Sequence, residues 1–286
     1  MRHPILFAAL AGCALVLSGC GGRDDAEVAR AMKSVNAIDE TNLSDIMLSV
    51  ADPREAVGYF ERTAGENPDR IDLQRGLAKS YIRAGAPSQS VATWKKVLAM
   101  PGATADDRVE MADAQIRAGD WAAAEATLNT IPPTHETFQR YKLEAMVADS
   151  KKDWKKADAF YETAQGLTTR PGSVLNNWGF SKLTRGDAKG AERLFAEALT
   201  YDTTSFTTKN NLVLARAAQR KYDMPVITMT QTERAQLLYT AALSAIKQGD
   251  VTMGKALLQE AVDTHPQHFE EAARALAALD AGTAKG

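Results

Sequence analysis

The chain has 286 residues, of which 45% are hydrophobic, so it is long enough for one large domain or two ordinary ones. Its formal net charge of −2 excludes the strongly basic balance that nucleic-acid-binding proteins usually show. Abundant alanine and singly scattered glycines favour helices joined by tight turns over strands.

The N-terminus predicts a lipoprotein signal peptide over residues 1–19. Arg2 and His3 precede an uncharged apolar run, "PILFAALAGCALVLSG", which is shorter than the roughly 20 apolar residues that a membrane span needs. The run ends in "LSGC", which resembles the bacterial lipobox, where the cysteine is acylated and becomes the mature N-terminus. That resemblance implies diacylglycerol and N-acyl lipid on Cys20. The alternative is a chance cysteine near an ordinary cleavage site.

Residues 20–40 are predicted to be a polar, flexible tether. Cys13 lies in the segment to be removed, so the mature chain keeps only Cys20, which leaves no disulfide, redox motif or thiolate metal site. Several acyl chains together make a stable membrane anchor. Gly21 and Gly22 follow the cysteine, and neither is Asp. By analogy with enterobacterial lipoproteins, this predicts the periplasmic face of the outer membrane.

Small residues recur every 33 or 34 positions along the next part of the chain. They are Ala56, Ser90, Ala124, Ala157 and Ala191, with a later copy at Gly254. Four residues after each comes a large apolar residue: Phe60, Trp94, Leu128, Tyr161, Phe195 and Leu258. Five residues before most of them comes a turn residue: Gly85, Gly119, Lys152, Gly186 and Gly249.

This pattern resembles the tetratricopeptide repeat, a 34-residue helix–turn–helix unit. The resemblance covers residues 41–281 and implies an all-α fold, a right-handed solenoid of such repeats. Gly179 and Ala191 are predicted to lie where the two helices of one unit cross. Two departures are that the opening Trp of the consensus is absent from most copies and that Lys152 replaces a turn glycine. An Asp follows four of these turn residues and is predicted to cap the second helix; the four are Asp120, Asp153, Asp187 and Asp250.

The sixth unit is irregular, and we predict a loop or extended insert over residues 221–232. Its stretch "MPVITMTQT", residues 224–232, is rich in β-branched residues. Such a segment either adds a strand to a partner or packs on the protein's own groove, and we favour self-packing. A new helix is predicted from Thr230, a capping helix over 267–281, and a disordered tail over 282–286.

No nucleotide-binding, metalloprotease or serine-hydrolase motif is present in the sequence. We therefore predict that the protein is not an enzyme. We expect no catalytic residues, no bound metal, and no cofactor beyond the covalent lipid.

The groove of a helical solenoid is lined mainly by the first helix of each unit, and that surface supplies the candidate partner-binding residues. They are Arg75, Lys79, Arg83, Lys142, Asn176, Asn177, Asn210 and Asn211. The two Asn pairs lie one repeat apart, so their amides match successive stretches of an extended peptide backbone, although they also suit helix starts that face water. The basic residues suit an acidic segment, and a solvated face is the favoured interpretation.

The lipobox, the tether and segments such as "NNWGFSKLTRGDAKGAERLFAEAL" and "NNLVLARAAQ" together resemble the TadD family, the tetratricopeptide lipoproteins of the tight-adherence (Tad/Flp) pilus assembly system. That resemblance implies a pilotin-like protein that helps an outer-membrane secretin, or another pilus component, to assemble or localise. It implies neither a nucleic-acid nor a small-molecule ligand. The alternative is a general envelope scaffold lipoprotein for outer-membrane protein insertion or cell-wall enzyme recruitment.

Overall fold

The computed structural model describes residues 43–283, and their side chains as far as residue 281. The predicted signal peptide, Cys20 and the predicted tether lie outside the described residues, and so do residues 284–286. All regular secondary structure within 43–283 is helical. In that range no helix combines the length and the apolar character needed to cross a bilayer. The described chain forms two compact units, one ending at Ala84 and one beginning at Gly85.

Within the described residues, the first compact unit consists of three helices: α1 (residues 43–49), α2 (Pro53–Glu66) and α3 (Ile71–Arg83). Helix α2 begins where the Asp52 carboxylate accepts hydrogen bonds from the first turn and Pro53 supplies a fixed φ. Phe60 and Leu73 are buried together in the core between α2 and α3. These apolar faces recur at helical spacing, so their burial provides the driving force for the pairing.

The second compact unit consists, within the described residues, of eleven helices. They are α4 (Pro87–Ala99), α5 (Ala105–Arg117), α6 (Trp121–Leu128), α7 (Phe138–Ser150), α8 (Trp154–Gly166), α9 (Gly172–Thr184), α10 (Ala188–Tyr201), α11 (Phe206–Ala217), α12 (Gln231–Lys247), α13 (Val251–Thr264) and α14 (Glu270–Thr283). Its buried clusters join helices that follow one another in the chain, for example α7 with α8 and α9, then α10 with α11. This succession of local cores is the packing that stacked repeats require.

The aligned small residues lie where the repeat pattern predicts them. Ala56, Ser90, Ala124, Ala157 and Ala191 are all fully buried. At Gly179, a β-carbon would lie 2.7 Å from Cε1 of Phe195, so α9 and α10 can cross at this distance only because residue 179 has no side chain. The predicted helix crossing is therefore confirmed.

The predicted turn and cap chemistry is also confirmed. The glycines at the turn positions have positive φ, for instance +88° at Gly186, a conformation that costs other residues energy. Where an Asp follows the turn residue, it accepts a hydrogen bond from the first turn of the next helix, as Asp187 does from the Gly190 N–H at 2.9 Å, whereas Ala86 follows Gly85 and makes no side-chain cap. The same arrangement recurs at Asp120, Asp153 and Asp250.

Lys152 adopts the left-handed conformation that glycine adopts in the other units, with φ +61°. We expect Lys152→Gly to raise the free energy of unfolding by about 1 kcal/mol, because an L side chain in this region costs about 1–2 kcal/mol, while extra freedom in the unfolded chain offsets part of the gain. Urea unfolding monitored by circular dichroism measures the change. Glu162→Gly, at an exposed position in the interior of α8, is the control and should destabilise by about 1 kcal/mol. A lower urea midpoint for Lys152→Gly would contradict the strain at this turn.

The sixth unit keeps the turn and loses the second helix. Arg220 lies 34 residues after Gly186 and has φ +61°, and the Lys221 N–H donates to the Arg216 carbonyl at 3.1 Å, as in the other turns. Lys221 stands where the capping Asp would be. Pro225 stands at the repeat position of Ala191, where its missing N–H would break the helical hydrogen-bond pattern.

Residues 218–230 therefore form a non-helical insert that packs on the protein's own helices. Met224 and Met229 lie against the core of α11 to α14, while Ile227 lies against the core of α10 and α11. Val226 is fully exposed. The favoured self-packing is therefore present, but it is on these two cores and not on the groove described below, to whose lining the insert contributes no residue.

Helix α12 packs directly on α11 and begins at the predicted capping box of Thr230 and Glu233. The buried Lys209 ammonium donates to Glu233 at 2.9 Å, which links the two helices across the insert. Helix α14 then covers the α12–α13 core with one apolar face, in agreement with the predicted terminal capping helix. It runs to Thr283, two residues beyond the predicted end of the solenoid.

Candidate functional site

The first helices of the fourth, fifth and sixth units, α7, α9 and α11, line a cavity of about 480 Å³, which we call the groove cavity. Met146 and Phe180 occupy the same repeat position 34 residues apart, on α7 and α9, and both face this space. The lining residues come from these three helices, from the start of α6 and from α8. They are Trp121, Met146, Asp149, Ser150, Trp154, Tyr161, Asn176, Asn177, Phe180, Ser181, Thr184, Thr207 and Asn211.

Three of the predicted asparagines form a chain of amide contacts across the groove cavity. Asn211 Nδ2 donates to Asn176 Oδ1 at 3.1 Å, which joins α11 to α9. Asn176 Nδ2 lies 3.4 Å from Asn177 Oδ1, and Asn177 Nδ2 lies 3.3 Å from the Met146 sulfur on α7. Each carboxamide has further donor and acceptor capacity beyond these contacts. The amides are therefore held in place and can still bond a peptide backbone.

Apolar side chains form most of the rest of the wall. Phe180 is 52% exposed and Trp121 is 37% exposed, although both are large hydrophobic residues. Trp154 completes the wall at the start of α8, where the Arg185 guanidinium carbon lies 5.7 Å from its ring centroid. Exposed aromatic rings around a concave site are typical of ligand pockets, in which a few polar groups fix orientation.

Asp149 is the charged residue among those that line the groove cavity. Its carboxylate accepts hydrogen bonds from the Ser181 hydroxyl at 2.7 Å and from the Tyr161 hydroxyl at 2.9 Å. Burial raises the pKa of Asp149, and these two hydrogen bonds offset that effect only in part.

A second cavity of about 390 Å³ lies beside the groove cavity and shares Asn176 and Asn177 with it. Its other lining residues are mostly polar and come from the starts of α9 and α11 and the end of α10, for example Arg170, Asp202 and Ser205. The two cavities together give an extended site, apolar at one end and polar at the other, with the two amides between them.

An ion-pair network connects α8 to α9 beside the groove cavity. Asp158 on α8 accepts hydrogen bonds from the Arg185 guanidinium at 2.6 Å, the Lys182 ammonium at 3.0 Å and Trp178 Nε1 at 2.6 Å. Burial alone would raise the pKa of Asp158, but the hydrogen bonds from these three residues hold it below its ordinary value. The network joins the fourth unit to the fifth and fixes α9, which carries Phe180.

Asn210 and Lys142 lie elsewhere on the second compact unit, outside the groove cavity. Asn210 Oδ1 accepts a hydrogen bond from the Thr240 hydroxyl at 2.8 Å, so this amide links α11 to α12 and lies outside the groove-cavity lining. Burial lowers the pKa of Lys142 on α7, while Asp113 and Glu110 on α5 favour its charged form. Lys142 thus faces acidic neighbours on α5 and is also absent from the lining.

The remaining basic candidates belong to the first compact unit, which ends at Ala84. Arg83 has a structural role there, since its guanidinium donates to the Met47 carbonyl at 2.6 Å and to the Ala51 carbonyl at 2.7 Å, at the end of α1. Met47 lies in the last turn of α1, where carbonyls have no partner within the helix, and Ala51 follows that helix, so Arg83 satisfies both carbonyls. Arg75 is half-buried and Lys79 is exposed, both on α3.

Sequence reasoning missed the aromatic residues and Asp149. A signal was present, because Trp121 and Trp154 each follow a capping Asp and lie 33 residues apart. A helix start normally faces water, so a Trp repeated at that position indicates a binding surface. Asp149 had no such signal. Among residues 43–283, no group of three or more His, Cys, Asp or Glu side chains has the geometry to hold a metal ion.

Solved structures share this arrangement of helices. A chain of the Cut9–Hcn1 hetero-tetramer of the APC/C matches with a TM-score of 0.60 at 14% identity, over 82% of this chain and 48% of that chain. The present chain therefore spans about half the length of that relative. A tetratricopeptide repeat protein from Parabacteroides merdae matches with a TM-score of 0.54 at 12% identity, over 87% of this chain and 96% of that one.

Human IFIT1, in a dimer with m7Gppp-AAAA, matches with a TM-score of 0.59 at 12% identity, over 82% of this chain and 61% of that chain. The sequence matches no protein-family model and no curated protein significantly. These structural likenesses establish the fold as an all-α solenoid of tetratricopeptide repeats. At such low identity they bear on the fold alone.

Proposed function

We propose that the protein is a non-enzymatic, lipid-anchored protein that holds an extended segment of a partner protein in the groove cavity. The observation that carries the proposal is the groove cavity itself, where exposed aromatic rings and a fixed chain of amides face one concave surface. Main-chain groups of an extended peptide bond to carboxamides, and apolar side chains fill the space between aromatic rings. A tetratricopeptide fold is compatible with such a role.

The proposed partner is an outer-membrane secretin, or another component of the Tad/Flp pilus, and the proposed site of action is the periplasmic face of the outer membrane. This part rests on the sequence resemblance to the TadD lipoproteins and on the lipobox at Cys20. A lipid anchor and a peptide-binding groove in one chain raise the local concentration of the partner at the membrane, which favours assembly without any further contact. A general envelope scaffold would use the same anchor and groove for another partner.

Capture of partners from native envelopes tests the proposed groove. We expect a tagged chain, after mild cross-linking, to recover a secretin or another pilus component, and Phe180→Asp to reduce that recovery at least about tenfold, because a charge would lie among the aromatic rings. Phe180 is half exposed, so the change should leave the fold intact. Asn177→Ala with Asn211→Ala should also reduce recovery, with some loss of stability because the Asn176 oxygen would lose its donor.

Val226→Asp is the matched control, since Val226 is fully exposed on the insert. It should leave recovery unchanged. Loss of capture by Val226→Asp, with Phe180→Asp behaving as wild type, would move the binding site to the insert. Recovery of an outer-membrane insertase or of cell-wall enzymes in place of pilus components would assign the general scaffold function.

The proposed anchor is tested separately. Cys20→Ala should move the protein from the membrane pellet to the soluble fraction, because the acyl chains provide the attachment. Fractionation of envelopes and mass spectrometry of the N-terminal peptide measure this. Unchanged sedimentation with membranes would rule out acylation of Cys20 as the anchor.

A further inference from the structure

The groove cavity contains a carboxylate that no basic side chain of the lining neutralises. The Asp149 carboxylate accepts hydrogen bonds from two hydroxyl groups, those of Ser181 and Tyr161. The neighbouring cations Arg185 and Lys182 donate their hydrogen bonds to Asp158, and the charge of Arg185 favours the ionised form of Asp149 only from a distance. A carboxylate has acceptor capacity beyond two hydrogen bonds, so Asp149 can accept another donor from a ligand.

The walls around this carboxylate suit a cationic side chain with an apolar stem. The aromatic side chains of Trp121, Trp154 and Phe180 line the cavity, and the faces of aromatic rings attract cations. The Arg185 guanidinium already lies over the Trp154 ring. The methylene stem of a lysine or arginine packs on apolar walls while its charged end reaches a polar group.

Other ligand charges fit less well. An acidic side chain would be repelled by Asp149, and a wholly apolar one would bury the carboxylate without a counter-charge, which is unfavourable. Burial is the main cause of the raised pKa of Asp149, and the nearby Arg185 charge lowers this pKa only in part. The groove cavity thus carries a negative charge, whereas the candidate residues that the sequence places on the first helices, such as Lys142, are positively charged.

We infer that the partner segment held in the groove cavity carries a lysine or arginine whose side chain enters between Trp121 and Phe180 and pairs with Asp149. This inference rests on the proposed function and adds the chemistry of the partner. The cavity volume of about 480 Å³ leaves room beside such a side chain for a neighbouring apolar one. The recognised segment is therefore basic and apolar.

Three synthetic peptides test this charge preference on the purified chain. They have the form acetyl-Ser-Leu-Xaa-Leu-Ser-amide, in which the central residue is lysine, norleucine or glutamate. Calorimetry and tryptophan fluorescence measure their affinities. We expect the lysine peptide to bind about tenfold more tightly than the norleucine peptide, and the glutamate peptide to bind most weakly.

Asp149→Asn should remove most of the difference in affinity between the lysine and norleucine peptides, while Glu162→Gln, which changes an exposed carboxylate on α8 outside the lining, should keep the difference. Phe180→Leu, which keeps an apolar side chain and removes the ring, should reduce the preference for lysine. This variant provides the test if Asp149→Asn fails to fold.

Equal affinity of the lysine and norleucine peptides for the wild type, with both lost in Phe180→Asp, would overturn the basic preference and leave groove binding intact. A lysine preference that is undiminished in Asp149→Asn would overturn the role of that carboxylate. Absence of binding by all three peptides at about 1 mM would overturn the inference and also count against the groove as a peptide site.

Discussion

Gly179→Leu is expected to lower the free energy of unfolding by about 3 kcal/mol, the upper part of the range for overpacking a core. The reason is the crossing of α9 and α10. A β-carbon at residue 179 would lie 2.7 Å from Cε1 and 2.9 Å from Cδ1 of the fully buried Phe195 ring, and leucine adds further carbons beyond it. The ring cannot move away without displacing its other neighbours, so the two helices must separate. Urea unfolding monitored by circular dichroism measures the loss.

The matched control is Gly58→Leu. Gly58 is also a helical glycine, but it is exposed on α2, and no atom lies within 4 Å of the position that its β-carbon would occupy. There the better helix propensity of leucine should raise stability by about 0.5–1 kcal/mol. A second test combines Gly179→Leu with Phe195→Ala, which should cost less than the sum of the two single changes because each makes room for the other. A melting temperature equal to that of the wild type for Gly179→Leu would contradict the crossing.

Asp158→Asn should lower the free energy of unfolding of the second compact unit by about 2 kcal/mol. The change leaves the Arg185 guanidinium, the Lys182 ammonium and Trp178 Nε1 without the carboxylate to which all three donate. Breaking a buried pair by removing one partner costs about 3–5 kcal/mol, and we take a smaller value because 31% of the Asp158 side chain remains exposed and screened. Since the contacts join adjacent repeats, the unfolding transition should also broaden.

Acid titration gives this prediction a second measure. The pKa of Asp158 in the folded state lies below its ordinary value of 3.8, so its contribution is present above the unfolded-state pKa and is lost as the pH falls through the folded-state pKa. Asp158→Asn should therefore reduce the fall in stability below about pH 4. Glu260→Gln, which removes an exposed pair with Arg234, is the control and should cost less than about 1 kcal/mol. Equal effects of the two changes would contradict the structural role of Asp158.

Much of the repeat architecture could be predicted from local sequence. The small residues, the large apolar residues four positions later and the Gly-Asp turns act within one unit, because helix capping, the left-handed turn and the crossing at Gly179 each involve neighbours in the chain. Even the irregular sixth unit followed from a local cause, the proline at position 225. The predicted lipid on Cys20 and the outer-membrane location stay predictions.

The character of the candidate site was decided by tertiary structure. Four asparagines met the same sequence criterion, yet three line the groove cavity and Asn210 bonds Thr240 on the next helix. The sequence placed basic residues on first helices, whereas the cavity contains Asp149, whose hydroxyl partners Tyr161 and Ser181 lie 12 and 32 residues away. A repeat period tells which residues are buried within a unit. The charge and shape of a groove depend on side chains from several units meeting in space, and only the stacking of those units brings them together.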